Sequence, residues 1–223
     1  MSTLSSCKRA RADRWPLIAL LILGTIAVPL GSAWGQSVVG RAVAARLNTP
    51  ATGIQLFARA VLPAGGGMVQ AELDTAGAAN TLGAAGLTSI VTGQVDQALV
   101  SVTATAEAAD VDILDGLITA KSVLALATSY ANGTSAWSEA DGSTLLSLVI
   151  AGDAYPDGAP DPNTRVELPG VGYAVLNEQI ARGDGLQSAG LTVNMIHVYL
   201  LDPVSGAAAG EILVGVATCT ATL

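Results

Sequence analysis

The sequence contains very little cysteine, histidine or aromatic residue. Two cysteines and one histidine occur among 223 residues, and Phe, Trp and Tyr together make up 4%. His197, the lone histidine, cannot build a multi-histidine metal site, and we assign it a structural or surface role. No G-x-S-x-G, H-E-x-x-H, C-x-x-C or phosphate-loop motif occurs. The sequence therefore predicts a protein without catalytic residues, that is, not an enzyme.

An apolar run long enough to cross a bilayer is also missing. The one candidate, Leu17 to Leu30, has 14 residues interrupted by Gly24 and Pro29, whereas a spanning helix needs about 20. Basic residues precede this run and small residues follow it, at Lys8, Arg9, Arg11, Arg14, Ala33 and Gly35. The pattern predicts a signal peptide over residues 1–35, cleaved before Gln36; an uncleaved membrane anchor is the alternative.

Basic residues are scarce beyond this segment. Residues 36–223 hold six basic and 17 acidic residues, a net charge of −11. Such a surface repels phosphate backbones, so we expect no nucleic-acid partner. No second apolar segment follows, so we expect a single β-rich extracellular domain over 36–223. In this mature form it is secreted or on the cell surface, without membrane contact.

Cysteine usage leaves one thiol in this domain. Cys7 falls in the signal, and Cys219 remains alone, so no internal disulfide can form. We predict that Cys219 is a small buried residue of the last strand. An intermolecular disulfide is the alternative.

What the sequence does have is alternation of apolar and polar residues, which is typical of strands. The alternation favours strands over 54–62, 69–74, 98–106, 117–128, 143–151, 171–176, 191–201 and 211–218. The glycines of 63–67 predict a hairpin between the first two, and Pro203 and Gly206 predict a turn between the last two. Over 76–90 the alternation disappears, which leaves room for a helical interruption.

About ten short strands without helical crossovers favour an all-β fold, an antiparallel β-sandwich of jelly-roll-like form. The abundance of alanine and threonine indicates sheets packed through small side chains. A β-helix is the alternative, although no regular repeat of 20 to 30 residues is evident.

Polar residues concentrate between Thr164 and Leu200. Strict alternation would put His197 and Tyr199 on one strand face with Leu191, and Asn194 on the other. Glu178 with a second acid would suit general acid and base catalysis, but nothing in the sequence brings two carboxylates together. We therefore interpret Asn177, Glu178 and Gln179 as a network that fixes sheet geometry.

The loop at 153–165 holds the strongest candidate for a ligand site. Asp153, Asp157, Asp161 and Asn163 supply oxygen ligands, and Gly158 lets the backbone curl. Calcium takes six to eight oxygens, so this loop is a candidate calcium site. Its spacing is not that of an EF-hand, and a plain solvated loop is the alternative.

Three segments resemble a known family. They are GLITAKSVLALATS (116–129), PNTRVELPGVGYAVLNEQ (162–179) and LTVNMIHVYLLD (191–202). Their succession is similar to the bacterial choice-of-anchor P family of secreted and surface proteins, over about residues 98–220. The resemblance implies an exported β-rich domain whose relatives carry assorted C-terminal anchors; none is evident in this sequence. It implies no catalytic residues.

Two functions follow as hypotheses. The first is a structural or adhesive protein of the cell surface or extracellular matrix, which self-associates or binds a surface protein or glycan. The second is a calcium-assisted carbohydrate-binding module that uses Trp137, Tyr155 or Tyr173 as a stacking platform beside the acidic loop. An enzyme ranks third.

Overall fold

The structure is a computed structural model that describes residues 35–223. The predicted signal peptide, apart from Gly35, lies outside the described residues. Fourteen strands form, and no helix within this range is long and apolar enough to cross a bilayer. The strands are β1 (Ser37–Thr49), β2 (Gly53–Val61), β3 (Gly67–Ala78), β4 (Leu82–Val95), β5 (Val100–Ile113), β6 (Ile118–Ala131), β7 (Ala136–Glu139), β8 (Thr144–Leu146), β9 (Val149–Ile150), β10 (Asp153–Ala154), β11 (Thr164–Leu168), β12 (Gly172–Gly183), β13 (Ser188–Leu201) and β14 (Ala208–Thr222).

Two antiparallel sheets make up the fold, and the predicted β-sandwich is confirmed. The six-stranded sheet has the order β11-β12-β13-β14-β1-β2, and the eight-stranded sheet has the order β10-β9-β6-β5-β4-β3, with β7 and β8 also paired to β6. The jelly-roll-like connectivity is wrong, because the chain passes between the sheets only at β2–β3 and β10–β11. Most long strands instead pair with their neighbours in sequence.

Small side chains fill the space between the sheets, as predicted. Fully buried alanines lie on both inner faces, among them Ala42, Ala104, Ala127 and Ala217. A Cβ on Gly40 of β1 would collide with Val91 of β4. The sheets thus approach closely where glycine and alanine face each other, and the larger Leu, Ile and Val side chains complete one continuous core.

Two local predictions are wrong. Residues 63–67 do not form a hairpin, because β2 pairs with β1 and β3 pairs with β4. Their glycines instead carry the chain from one sheet to the other. Residues 76–90 are not helical: β3 and β4 continue through them and meet at a tight turn around Asn80, which has φ of 58°. The predicted turn at 202–206 is confirmed, with Asp202 Oδ1 accepting from the amides of Val204 and Ser205.

A crease crosses the six-stranded sheet. In each of its five long strands one residue drops out of the pairing register: Ala58, Ala44, Gly215, Met195 and Asn177, on β2, β1, β14, β13 and β12 in that order. Three of the five, Ala58, Gly215 and Asn177, have left-handed φ values of 46°, 68° and 48°. One extra residue shifts a strand by half its two-residue period, so side chains exchange faces at this line.

Candidate functional site

The outer face of the six-stranded sheet is concave. Side chains from β1, β2, β12, β13 and β14 line a depression of about 680 Å³, which we call the outer groove. The register orders its side chains into rows that run across the strands. Beside the crease on one side lies the row Glu178, Asn194, Val216, Val43, Arg59, and on the other side the row Val175, His197, Leu213, Arg46, Leu56.

His197 lies between two carboxylates at the centre of this face. Its Nδ1 is 2.7 Å from Glu178 Oε2, and its Nε2 is 3.2 Å from Glu211 Oε2. The imidazole is only 8% exposed. Because Glu178 is on β12, His197 on β13 and Glu211 on β14, the imidazole links three neighbouring strands through side chains alone.

Glu178 accepts further hydrogen bonds. Asn194 Nδ2 donates to Oε2 at 2.6 Å, and the Tyr199 hydroxyl donates to Oε1 at 2.8 Å. The hydrogen bond from His197, followed by those from Asn194 and Tyr199, lowers the pKa of Glu178 from 4.5 to about 2, against the opposing effect of burial. Burial and the hydrogen bond to Glu178 raise the pKa of Tyr199. Glu178 is therefore a weakly basic carboxylate that accepts three hydrogen bonds.

Glu211 connects the cluster to β1. Arg46 Nη2 lies 2.9 Å from Glu211 Oε1, and Asn48 Nδ2 donates to the same oxygen at 3.3 Å. Aromatic rings continue the cluster on the other side. His197 stacks on Tyr199 at 3.8 Å between centroids, and Tyr199 stacks on Tyr173 at 4.6 Å.

The crease brings this cluster together. Asn194 and His197 both contact Glu178 Oε2, so they share one face, and the strict alternation predicted for β13 is wrong. Met195 and Ile196 are both fully buried, so the alternation of inward and outward side chains is interrupted between them. Without this shift, His197 would point into the core.

Four of the five arginines among residues 35–223 also line this groove. Arg41, Arg46, Arg59 and Arg182 line the outer groove, and they are four of the six basic residues beyond residue 36. Arg46 pairs with Glu211, whereas the other three form no ion pair with any residue in the described range. All three are exposed. The sequence shows no basic stripe because these residues are scattered over 140 positions.

Two of the four residues of the predicted calcium loop use their side chains to bind backbone amides. Asp157 Oδ1 accepts from the Ser147 amide at 2.7 Å, and Asn163 Oδ1 accepts from the Gln179 amide at 3.0 Å. Asp153 is exposed in β10, and the Asp161 carbonyl accepts from Thr164. Over residues 35–223 no three His, Cys, Asp or Glu side chains group as metal ligands. Calcium binding stays a prediction, which melting temperatures with millimolar calcium and with chelator would decide.

The three aromatic residues proposed as a stacking platform lie apart. Trp137 stacks on Tyr130 at the eight-stranded sheet, Tyr155 packs against the core, and Tyr173 belongs to the six-stranded sheet. Arg165 covers the Tyr173 ring at 3.8 Å. These rings therefore do not form one surface for a sugar.

Two other predictions are confirmed. Asn177 donates to the Pro160 carbonyl and accepts from Gln179, which makes the predicted network at the start of the crease. Cys219 is fully buried in the last strand, 2.9 Å from Ser129 Oγ.

Sequence reasoning missed Glu211 as a partner of His197, and Arg46 as the partner of Glu211. No periodic signal in the sequence marks them, because pairing of strands that are far apart in the chain brings them together. Comparison with protein-family models, with curated proteins and with solved structures finds no match for this chain.

Proposed function

We propose that this chain is an exported bacterial protein of the cell surface or extracellular matrix, which binds a partner through the outer groove and catalyses no reaction. The observation that carries the proposal is the groove itself, a sheet face whose central side chains are held in place by contacts across β12, β13, β14 and β1. A surface fixed in this way loses little conformational freedom on binding, which favours recognition.

The chemistry of the central cluster fits binding better than catalysis. A general base needs a free lone pair and a pKa near the working pH. Glu178 has both oxygens occupied by donors and a pKa of about 2. His197 has both ring nitrogens against carboxylates. These groups are suited to positioning Tyr199, Arg46 and the strands that carry them.

The export part of the proposal rests on the sequence. The basic and apolar pattern of residues 1–35 and the resemblance to choice-of-anchor proteins support it. The first described strand begins at Ser37, one residue after the predicted cleavage point. An exported protein whose N-terminal mass corresponds to Gln36 would support the assignment, and one that begins at Met1 would refute it.

The binding part is tested with residues 36–223 on an array of neutral and acidic glycans. Thr218→Trp places a large side chain on the groove floor. Thr105→Trp is the matched control, because Thr105 faces outward from β5 on the other sheet. We expect the wild-type domain to bind at least one glycan. Thr218→Trp should abolish this binding, and Thr105→Trp should leave it unchanged.

Two results would contradict this function. The first is an array on which no glycan binds, or on which every glycan that binds is unaffected by Thr218→Trp. The second is hydrolysis of a bound glycan that disappears in Glu178→Gln, which would make the groove an active site.

A further inference from the structure

We propose that the ligand of the outer groove is an oligosaccharide that carries carboxylates, of the uronate class. This inference rests on the proposed binding function and deepens it by naming the ligand. Three features of the groove carry it: unpaired arginines, hydroxyl-binding groups on the floor, and three central strands whose backbone is already paired on both sides.

The charge of the groove is opposite to that of the rest of the domain. Outside the groove, the described residues hold 15 acidic side chains and only two basic ones, Lys121 and Arg165, and both of these are paired with carboxylates. Inside the groove, Glu178 and Glu211 are occupied by the central cluster. Arg41, Arg59 and Arg182 are left to meet anions from outside.

These three arginines stand on opposite sides of the groove. Arg182 is on β12, and Arg41 and Arg59 are on β1 and β2, with β13 and β14 between. Three strand spacings separate β12 from β1, which is about 14 Å. A ligand that meets both sides must therefore present at least two negative charges several sugar units apart, which a chain of uronates provides.

The floor between the arginines offers groups that suit sugar hydroxyls. Thr192 and Thr218 lie side by side, with hydroxyls 3.3 Å apart. Asn194 lines the groove and is 4% exposed, yet its Oδ1 accepts no hydrogen bond from the described residues. An unmet acceptor beside hydroxyl groups favours a ligand rich in hydroxyl donors.

An acidic peptide fits this floor less well. Extended peptides commonly bind by adding main-chain hydrogen bonds to the edge of a sheet. The groove lies on the face of β12, β13, β14, β1 and β2, where the backbone groups of the three central strands are paired on both sides. Only side chains are available, which suits a ligand recognised through hydroxyls and carboxylates.

Calorimetric titration of residues 36–223 tests the inference. The probes are tetramers of galacturonate and of mannuronate, the methyl ester of each, and a tetraglutamate peptide. The methyl ester keeps the sugar and removes its charge. The variants are Arg41→Gln, Arg59→Gln and Arg182→Gln, singly and combined, and the control is Lys121→Gln, an exposed cation on the eight-stranded sheet.

We expect at least one uronate tetramer to bind, and its ester to bind about tenfold more weakly or worse. Each arginine variant should weaken binding, the triple variant should abolish it, and Lys121→Gln should leave it unchanged. The affinity should also fall as salt is added.

The inference is overturned if acid and ester bind equally, if tetraglutamate binds as tightly as the uronates, if the arginine variants bind as the wild type does, or if neither uronate binds. If one of these results is obtained but some glycan on the array still binds in a way that Thr218→Trp abolishes, the binding function stands. Only the assignment of a uronate ligand is then refuted. If no ligand is sensitive to Thr218→Trp, the binding function fails as well.

Discussion

His197 is positioned by residues from both neighbouring strands. Glu178 on β12 and Glu211 on β14 approach opposite nitrogens of one ring, and Arg46 on β1 pairs with Glu211. Each partner is thus held by another side chain as well as by its own strand. Such a chain of polar contacts is stable only if every member is satisfied, because an unpaired buried group is costly.

Glu178→Gln should therefore destabilise the domain. The substitution keeps the shape of the side chain but replaces a carboxylate that accepts three charge-assisted hydrogen bonds. We expect the free energy of unfolding at pH 7 to fall by about 1–3 kcal/mol, measured by urea denaturation. Glu167→Gln is the control: its exposed pair with Arg165 should contribute almost nothing. Equal effects of the two substitutions would contradict the assigned role of Glu178.

The loss of stability caused by Glu178→Gln should depend on pH. The pKa of Glu178 is about 2 in the folded protein against an ordinary value of 4.5. A lowered carboxyl pKa stabilises the fold above the unfolded pKa, and that stability is lost as the pH falls through the folded pKa. The difference between wild type and Glu178→Gln should be constant above about pH 5 and shrink between 4.5 and 2. A difference that grows on acidification would show that another group dominates.

Cys219 should be inert in the folded protein. Its side chain is fully buried against Ser129, and burial raises the pKa of the thiol, so the reactive thiolate is scarce. We expect no reaction with a disulfide reagent until urea unfolds the domain, and only monomer on non-reducing electrophoresis. A disulfide-linked dimer of native protein would contradict this expectation.

At the scale of elements, the crease decides which side chains share a face. Alternation in the sequence was enough to predict the sandwich and parts of β2, β3, β5, β6, β12, β13 and β14, because each strand has a period of two on either side of the crease. It did not predict β1, β4 or β11. It could not predict the change of face at Ala58, Asn177 or Gly215, since one residue in a left-handed conformation leaves no periodic signal. For the same reason the sequence separated Asn194 from His197.

The crease itself can be tested at Gly215. A Cβ added there would lie 3.0 Å from Val123 Cγ1 and 3.3 Å from Met195 Cβ, at a φ of 68° that disfavours side chains. We expect Gly215→Ala to lower the free energy of unfolding by about 1–3 kcal/mol. Gly65→Ala, with nothing within 4 Å, should be neutral or slightly stabilising. If both variants unfold at the same urea concentration, the crease does not depend on Gly215.

The predictions that failed were those that depended on which strands pair with each other. Residues 63–67 have hairpin chemistry, but β1 and β4 compete for β2 and β3 and place them in different sheets. Glycine-rich 76–90 lacks visible alternation because Gly86 takes a φ of 53° in mid-strand. Glu178 and Glu211 are 33 positions apart in sequence and meet only through His197 on the strand between them.

At the scale of the whole molecule, the first and last strands complete the six-stranded sheet. β1 lies between β14 and β2, and its pairing with β14 joins Ser37 to Thr222. The inner faces of both strands are buried, with Leu47, Ile212 and Ala217 fully inaccessible. The six-stranded sheet and the outer groove therefore depend on contacts between the two ends of the domain, which are far apart along the chain.

Removal of β14 should abolish the fold instead of leaving a smaller sandwich. A chain that ends at Ala207 would leave the inward edges of β1 and β13 unpaired and expose the core side chains of β5 and β6 that β14 covers. We expect it to lose the cooperative unfolding transition seen by circular dichroism and to be cleaved rapidly by protease. A chain that lacks only Thr222 and Leu223, both partly exposed, should keep the transition, because β1 and β14 retain ten of the eleven residue pairs in their register. A cooperative transition in the chain that ends at Ala207 would mean that the eight-stranded sheet folds independently, and that the groove is an addition to it.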